Sequence, residues 1–320
     1  MILPRVRLAI LPTPIEALPA LSAYLGGPQI LVKRDDMTGL GMGGNKILKL
    51  EYLVAESKAN GAKMLITTGA AQSNHCRQTA AVAARMGFAC HLVLTGDSKG
   101  SSNGNLLLDS LFGTEITWCD KKDRENTLSD VFDSAWNNGK RPFLIPYGGS
   151  NPIGAAAYVT AFSELVTQEL SPDTIVFATS SGGTQAGLVL GSKVNHSNTR
   201  ILGISVDVHA EDLKMKVSKL INETADRMQV NISAEANEIL VDDSYIGEGY
   251  GVVSSLERDA IKLFAQKEGL LLDPVYTGRA AGALIDMISK GKFKAGEQVL
   301  FWHTGGTPAL FASQYCDMWV

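Results

Sequence analysis

The chain has 320 residues, 45% hydrophobic and 19% charged, with 29 Lys plus Arg against 33 Asp plus Glu and a net charge of −4. A chain this long and apolar can bury a large interior, which excludes disorder and coiled coil as its main state, and 32 glycines without a Gly-X-Y period exclude collagen. The slight acidity offers no cationic footprint for nucleic acid or an anionic membrane surface, and no apolar run is long enough to span a bilayer.

In chain order, Arg5 and Arg7 open the sequence, but Pro12, Pro14 and Glu16 interrupt it before a signal-peptide core could form. Short β-branched runs then alternate with longer amphipathic stretches. Strands are expected at 30–33, 64–67, 91–94, 143–145, 175–178, 201–206 and 299–302; they are near-continuously apolar, as strands covered on both faces should be. Helical spacing appears first in Ile47, Leu50, Leu53 and Val54, closed by Gly61, and again at 79–86, 155–170, 185–194, 256–267 and 280–289. The polar, glycine- and serine-rich stretch 97–105 reads as a connection, and the mixed charges of 121–125 as a solvated face. Strand–helix alternation of this kind predicts an α/β fold with parallel sheets and right-handed crossovers. Cys76, Cys90, Cys119 and Cys316 are scattered without metal-ligand spacing, so reduced thiols in a cytoplasmic protein are expected, and no metal.

Glycines gather in Gly39-Leu40-Gly41-Met42-Gly43-Gly44-Asn45-Lys46, in Gly69-Ala70-Ala71-Gln72-Ser73-Asn74-His75, in Ser180-Ser181-Gly182-Gly183-Thr184 and in His303-Thr304-Gly305-Gly306-Thr307. Each follows an expected strand, where open α/β sheets bind ligands, and a glycine turn opening a helix presents free N–H groups to an anion. Gly39, Gly41 and Gly44 satisfy G-x-G-x-x-G, but the next strand ends Thr67-Thr68-Gly69 without the acid a dinucleotide's ribose requires, which disfavours a nicotinamide cofactor. Lys46 stands at the first turn of a helix, where the helix dipole disfavours a cation and would lower its pKa, leaving the free amine that a Schiff base needs. From the residues alone, a lysine merely solvated at a loop end is the commoner case.

Five strings resemble one family: Lys33-Arg34-Asp35-Asp36, Gly43-Gly44-Asn45-Lys46 with Lys49-Leu50-Glu51, Gln72-Ser73-Asn74-His75, Asp273-Pro274-Val275-Tyr276-Thr277-Gly278 and His303-Thr304-Gly305-Gly306. It is the 1-aminocyclopropane-1-carboxylate deaminase and D-cysteine desulfhydrase family of pyridoxal-phosphate enzymes, of fold type II, typified by the tryptophan synthase β subunit. The likeness runs from Leu11-Pro12-Thr13-Pro14 to Pro308-Ala309-Leu310-Phe311. It implies two open, twisted, mostly parallel sheets flanked by helices, with the cofactor between a large unit (1–48 plus 156–320) and a small one (49–155). It further implies that Lys46 carries pyridoxal 5'-phosphate and that Ser181, Gly182, Gly183 and Thr184 cradle its phosphate. Asn74 would meet the pyridine hydroxyl, and Ser73 would hold the substrate carboxylate. Tyr276 would lie against the ring, where it either packs or acts, and with Ser73 and Tyr250 stand near the substrate. His75 is either a substrate contact or a structural hydrogen-bonder.

Two positions separate the family's branches. The ring-opening deaminases carry a glutamate after the tyrosine and a leucine after the C-terminal histidine; this chain has Thr277 and Thr304 there, which resembles the D-cysteine desulfhydrases. A carboxylate beside the ring nitrogen strengthens the electron sink, whereas a hydroxyl does little to hold that proton. The weaker sink suits β-elimination, converting D-cysteine to pyruvate, hydrogen sulfide and ammonia. Lys46 is the first candidate for the α-proton, with Tyr276 or Ser73 on the other face. Leu48, Ser180 and Arg279 depart from the family's usual arginine, glycine and lysine, and leave substrate assignment open. L-cysteate desulfonation, ring-opening deamination and a non-catalytic relative are the alternatives, the second disfavoured by the two threonines. The resemblance also implies a small amino-acid substrate and a homodimer.

Overall fold

The computed structural model describes residues 3–96 and 102–319. Of the connection expected at 97–105, residues 97–101 lie outside the described residues. The chain opens with β1 (Ile15–Ala17), α1 (Pro19–Leu25) and β2 (Gln29–Arg34), then enters α2 (Asn45–Ala59). β3 (Met64–Ala70), α3 (Asn74–Met86), β4 (Ala89–Thr95), α4 (Gly104–Leu111), β5 (Glu115–Cys119), α5 (Arg124–Asn137) and β6 (Pro142–Leu144) follow. Their strands form a parallel sheet of order β5-β4-β3-β6. After α6 (Pro152–Thr167) come β7 (Thr174–Thr179), α7 (Gly183–Val194), β8 (Arg200–Ser205), α8 (Ala210–Met228) and β9 (Leu240–Asp242). The described chain closes with α9 (Ser255–Glu268), α10 (Thr277–Ser289), β10 (Gln298–His303) and α11 (Ser313–Cys316). These later strands join the first two in a six-stranded sheet of order β1-β2-β10-β7-β8-β9, parallel except for β1. The fold is α/β, with two mostly parallel sheets flanked by helices.

The continuous apolar runs have a direct cause. In β10, Leu300 and Trp302 enter one core while Val299 and Phe301 enter the core on the opposite face. In β7, Ile175 and Phe177 go one way and Val176 and Ala178 the other. The four-stranded sheet repeats the arrangement, with Leu65 on one side of β3 and Met64 and Ile66 on the other. With helices on both faces, neither set of alternating side chains can be polar. Where that coverage fails, periodicity did not reveal the strand: β5 is exposed or half-buried throughout, and β1 and β9 are three residues each. α8 was also unmarked, although Leu213, Val217, Leu220 and Ile221 form its buried stripe; its other faces are charged. In the 121–125 charge run, Lys121, Lys122, Asp123 and Glu125 are exposed and Arg124 is half-buried. No helix among the described residues is long and apolar enough to cross a membrane.

Parallel strands all deliver their carboxyl ends to one side. The turns after β3, β6, β7 and β10, and the start of α2, therefore meet between the two sheets.

Candidate active site

A cavity lies there. Lys46, Ser73, Asn74, His75, Ser181, Gly182, Thr184, Tyr250, Tyr276 and Thr304 all line it, together with Asn45, Tyr147, Gly148 and Ser180. Residues drawn from positions 45 to 304 of the chain thus converge on one space. Gly183 adjoins it as the first residue of α7, whereas Thr277 is not on its wall.

Lys46 is the second residue of α2, and its Nζ donates to the Gly148 carbonyl at 3.0 Å. Its pKa is pushed down to about 8, chiefly by burial, with the neighbouring Lys49 amine acting the other way. The direction is the one expected from the helix terminus; the principal cause is desolvation. The glycine run before it is packed shut. Arg77 donates to the carbonyls of Gly41 and Gly43. A Cβ on Gly44, whose φ is +121°, would stand 2.5 Å from Gln78 Nε2. The first N–H groups of α2 are also taken, Asn45 by Thr304 O at 2.9 Å and Ile47 by Gln78 Oε1 at 2.9 Å. This loop presents Lys46 and leaves no cradle for a phosphate.

The turn after β7 differs. Gly182, with φ +84°, is the N-cap of α7 and has no side chain of its own to bond that helix. Ser150 Oγ accepts the Gly183 N–H at 3.2 Å and lies 2.7 Å from Ser181 Oγ. Beneath the turn is Lys49, a residue that sequence reasoning assigned no role. It is buried, its Nζ donates to Gly148 O at 3.3 Å and Ser150 Oγ at 3.4 Å, and a Cβ on Gly183 would come 3.0 Å from that nitrogen. Burial holds the Lys49 amine well below its ordinary pKa, and the charges of Lys46 and Lys216 add to the effect. The half-buried Lys46 and the buried Lys49, neither with a carboxylate partner among the described residues and both beside the start of α7, are a donor set for an anion. The residues therefore fit a phosphate-bearing cofactor with a carbonyl for Lys46.

The opposite wall is the start of α3. Ser73 is its N-cap, and Ser73 Oγ accepts the Cys76 N–H at 3.2 Å, leaving its own proton to give away. Asn74 Oδ1 accepts from Asn105 Nδ2 at 2.9 Å, and Asn105 is itself fixed by Gln72, through its N–H to Oε1 at 2.7 Å and its Nδ2 to the backbone O at 2.9 Å. The Asn74 amide is thereby oriented with its Nδ2 toward Gly306, where a Cβ would approach within 2.6 Å. His75 Nε2 lies 2.9 Å from Thr67 Oγ1, which spends its proton on Ile145 O, so the imidazole donates to the threonine. Burial and the two lysine charges push the His75 pKa down, which keeps the ring neutral.

On the third side, the Tyr250 and Tyr276 hydroxyls are 2.8 Å apart and their rings meet edge to face at 5.8 Å. Tyr276 precedes α10, whose N-terminus is capped by Asp273: its carboxylate accepts from the N–H groups of Val275, Tyr276 and Thr277 and from Thr277 Oγ1 at 2.8 Å. Thr277 Oγ1 also accepts the Asp273 N–H, so its hydroxyl is consumed inside the turn. Thr304 alone of the two branch-marking threonines faces the cavity.

Fold and site together define an enzyme-like α/β protein with a cleft between its two sheets, lined by a lysine and a glycine turn that opens a helix. Residues 6–305 match the family model described as pyridoxal-phosphate dependent enzyme. A solved structure described as that of the ACC deaminase homologue superposes with a TM-score of 0.91 at 39% identity, covering 98% of this chain and 95% of that one. A pyridoxal 5'-phosphate-dependent aspartate racemase, at 16% identity and a TM-score of 0.64 over 92% of this chain and 90% of its own, shares the fold. The chain belongs to the pyridoxal-phosphate-dependent enzymes of fold type II.

Proposed function

We propose that the protein is a carbon–sulfur β-elimination lyase that converts D-cysteine to pyruvate, hydrogen sulfide and ammonia. One observation carries the reading: among the described residues lining the cavity there is no aspartate or glutamate. When bound, pyridoxal phosphate supplies an electron sink at the substrate's Cα, and without a carboxylate to hold a proton on its ring nitrogen that sink is weak. A weak sink suits a reaction in which the charge at Cα is discharged at once by loss of a β-substituent.

In this reading Lys46 holds the cofactor's aldehyde carbon. The turn 181–184, with Lys49, holds the phosphate, Asn74 Nδ2 meets the phenolic oxygen, and Thr304 faces the ring. Ser73 Oγ and the N–H groups at the start of α3 bind the substrate carboxylate. Once the substrate's amino group has displaced it from the aldehyde carbon, the Lys46 amine, its pKa lowered to about 8 by burial, takes the α-proton; Tyr276, whose phenol burial keeps protonated, stands on the other face. The electrons of the Cα–H bond form the Cα–Cβ double bond, and the Cβ–S pair departs with the thiolate, which is protonated to hydrogen sulfide. The released aminoacrylate tautomerises, and water hydrolyses it to pyruvate and ammonia. The neutral, buried His75 stiffens the wall. A homodimer and a cytoplasmic setting belong to the same reading.

A second reading, ring-opening of 1-aminocyclopropane-1-carboxylate, draws on the likeness to the ACC deaminase homologue. A panel of D-cysteine, L-cysteine, L-cysteate, β-chloro-D-alanine and aminocyclopropane carboxylate, assayed for pyruvate, 2-oxobutyrate, sulfide and ammonia, separates the two. Faster 2-oxobutyrate than pyruvate formation would overturn the lyase assignment, and pyruvate formation surviving in Lys46→Ala would overturn the role of the lysine.

A further inference from the structure

The segment that brings Tyr250 to the cavity has little stiffness of its own. Residues 243–254 contain no helix or strand. Gly247, Gly249 and Gly251 sit at φ values of +63°, +119° and +76°, and the N–H groups of Ile246, Gly249 and Val252 reach their carbonyl partners only at 3.3, 3.3 and 3.4 Å. A buried side chain supplies what this backbone lacks. Arg279, 1% exposed, lies on α10 three residues after Tyr276. Its Nε donates to Glu257 Oε1 at 2.6 Å, Nη1 to Val206 O at 2.8 Å and Gly249 O at 3.2 Å, and Nη2 to Val252 O at 2.8 Å. The carbonyls on either side of Tyr250 are thus bound by one guanidinium, while the Tyr250 hydroxyl meets that of Tyr276 at 2.8 Å. Tyr315 adds a bond to Gly251 O at 2.9 Å.

We propose that Arg279 is a positioning residue, clasping the Tyr250 segment at Gly249 and Val252 and so setting the Tyr250 phenol against Tyr276 on the cavity wall. Beyond Glu257, the remaining bonds of Arg279 go to carbonyls, two of them in the segment that carries the cavity residue Tyr250. The planar fork matters because a lysine, with a single nitrogen, cannot reach Glu257, Val206, Gly249 and Val252 together.

The test uses the cofactor-loaded protein in four forms: wild type, Arg279→Lys, Tyr250→Phe and the double variant. Amide hydrogen exchange of the peptide spanning 245–253 is expected to rise about tenfold in Arg279→Lys, with the sheets unchanged. The kcat/KM of pyruvate release from D-cysteine is expected to fall about tenfold in the wild-type background but less than twofold beside Tyr250→Phe, because the clasp acts through that phenol. Unchanged exchange in the segment, or equal losses in both backgrounds, overturns the proposal. If Arg279→Lys does not fold, Glu257→Gln keeps the guanidinium and weakens its anchor: an exchange increase of about threefold in the segment supports the clasp and none overturns it. The kinetic arm rests on the proposed function, the exchange arm does not. A wild type inert toward D-cysteine would therefore sink the lyase reading and leave the clasp to be decided by exchange.

Discussion

Replacing Lys46 with Met in the cofactor-free protein removes a charge that the fold disfavours while keeping all but the last atom of the side chain's length. Burial lowers the amine from 10.5 to about 8. At about 1.4 kcal/mol per pH unit, this disfavours the folded state by up to about 3 kcal/mol at neutral pH. Lys46 is half-buried, and water in the cavity recovers part of that, so about 1–3 kcal/mol is the expected gain of Lys46→Met at pH 7. The Gly148 carbonyl is not orphaned by the change, because Lys49 still donates to it. The sign follows from the lysine's depressed folded-state pKa. The penalty is complete below pH 8 and vanishes above 10.5, so the wild type gains stability over that range and the variant does not. Urea unfolding of both apo proteins should show the gap at pH 7 shrinking by more than half at pH 9.5. A variant no more stable than wild type at pH 7, or a gap that stays constant with pH, would refute the reasoning. The same variant should form no imine band on addition of pyridoxal phosphate.

Three further outcomes are expected. Gly306→Ala places a Cβ 2.6 Å from Asn74 Nδ2 and 2.7 Å from the Asp273 side chain at a φ of +105°, so cofactor affinity, read by absorbance titration, should fall at least about tenfold; unaltered affinity would count against the placement of Asn74. Asn105→Ala frees the Asn74 amide and should lower kcat/KM about tenfold while costing about 1 kcal/mol of stability in urea; a stability loss with full activity would reduce Asn105 to a packing role. Asp109 is buried, with neither oxygen hydrogen-bonded among the described residues, and is pushed up to about 8 by burial against the pull of Arg77. Its raised pKa makes the folded state lose stability from about pH 4 to pH 8. Asp109→Asn should therefore flatten the pH 5–8 stability profile by up to roughly 3 kcal/mol, and an identical profile would show that this carboxyl does not titrate there.

What could be read without coordinates divides along physical lines. Strands sandwiched between helices announce themselves because both side-chain sets are apolar, whereas β5, exposed or half-buried along its length, carries Glu115 and Thr117 and resembles a loop. Glycine clusters located the ends of the sheets, yet sequence cannot distinguish a turn packed by Arg77 and Gln78 from one open to a ligand, as the 181–184 turn is. Lys49 looked like an ordinary helix lysine, and only the fold brings its amine beside Ser150 and the start of α7. Asn105 and Arg279 owe their roles wholly to partners at least 22 residues away. Thr277, marked by its position in a motif, turned its hydroxyl to Asp273 for reasons local to a helix cap, which no spacing rule conveys.

The Gly148 carbonyl accepts from both Lys46 and Lys49, and burial with their mutual repulsion pulls the Lys49 amine toward its neutral form. A doubly negative guest acts the other way: its field raises the Lys49 pKa, and the hydrogen ion this draws in comes from bulk solvent. Loading this protein is thus coupled to ion uptake. Binding heats should differ between buffers of unequal ionisation enthalpy, and alkaline medium should loosen the grip on the guest even where the protein itself stays folded.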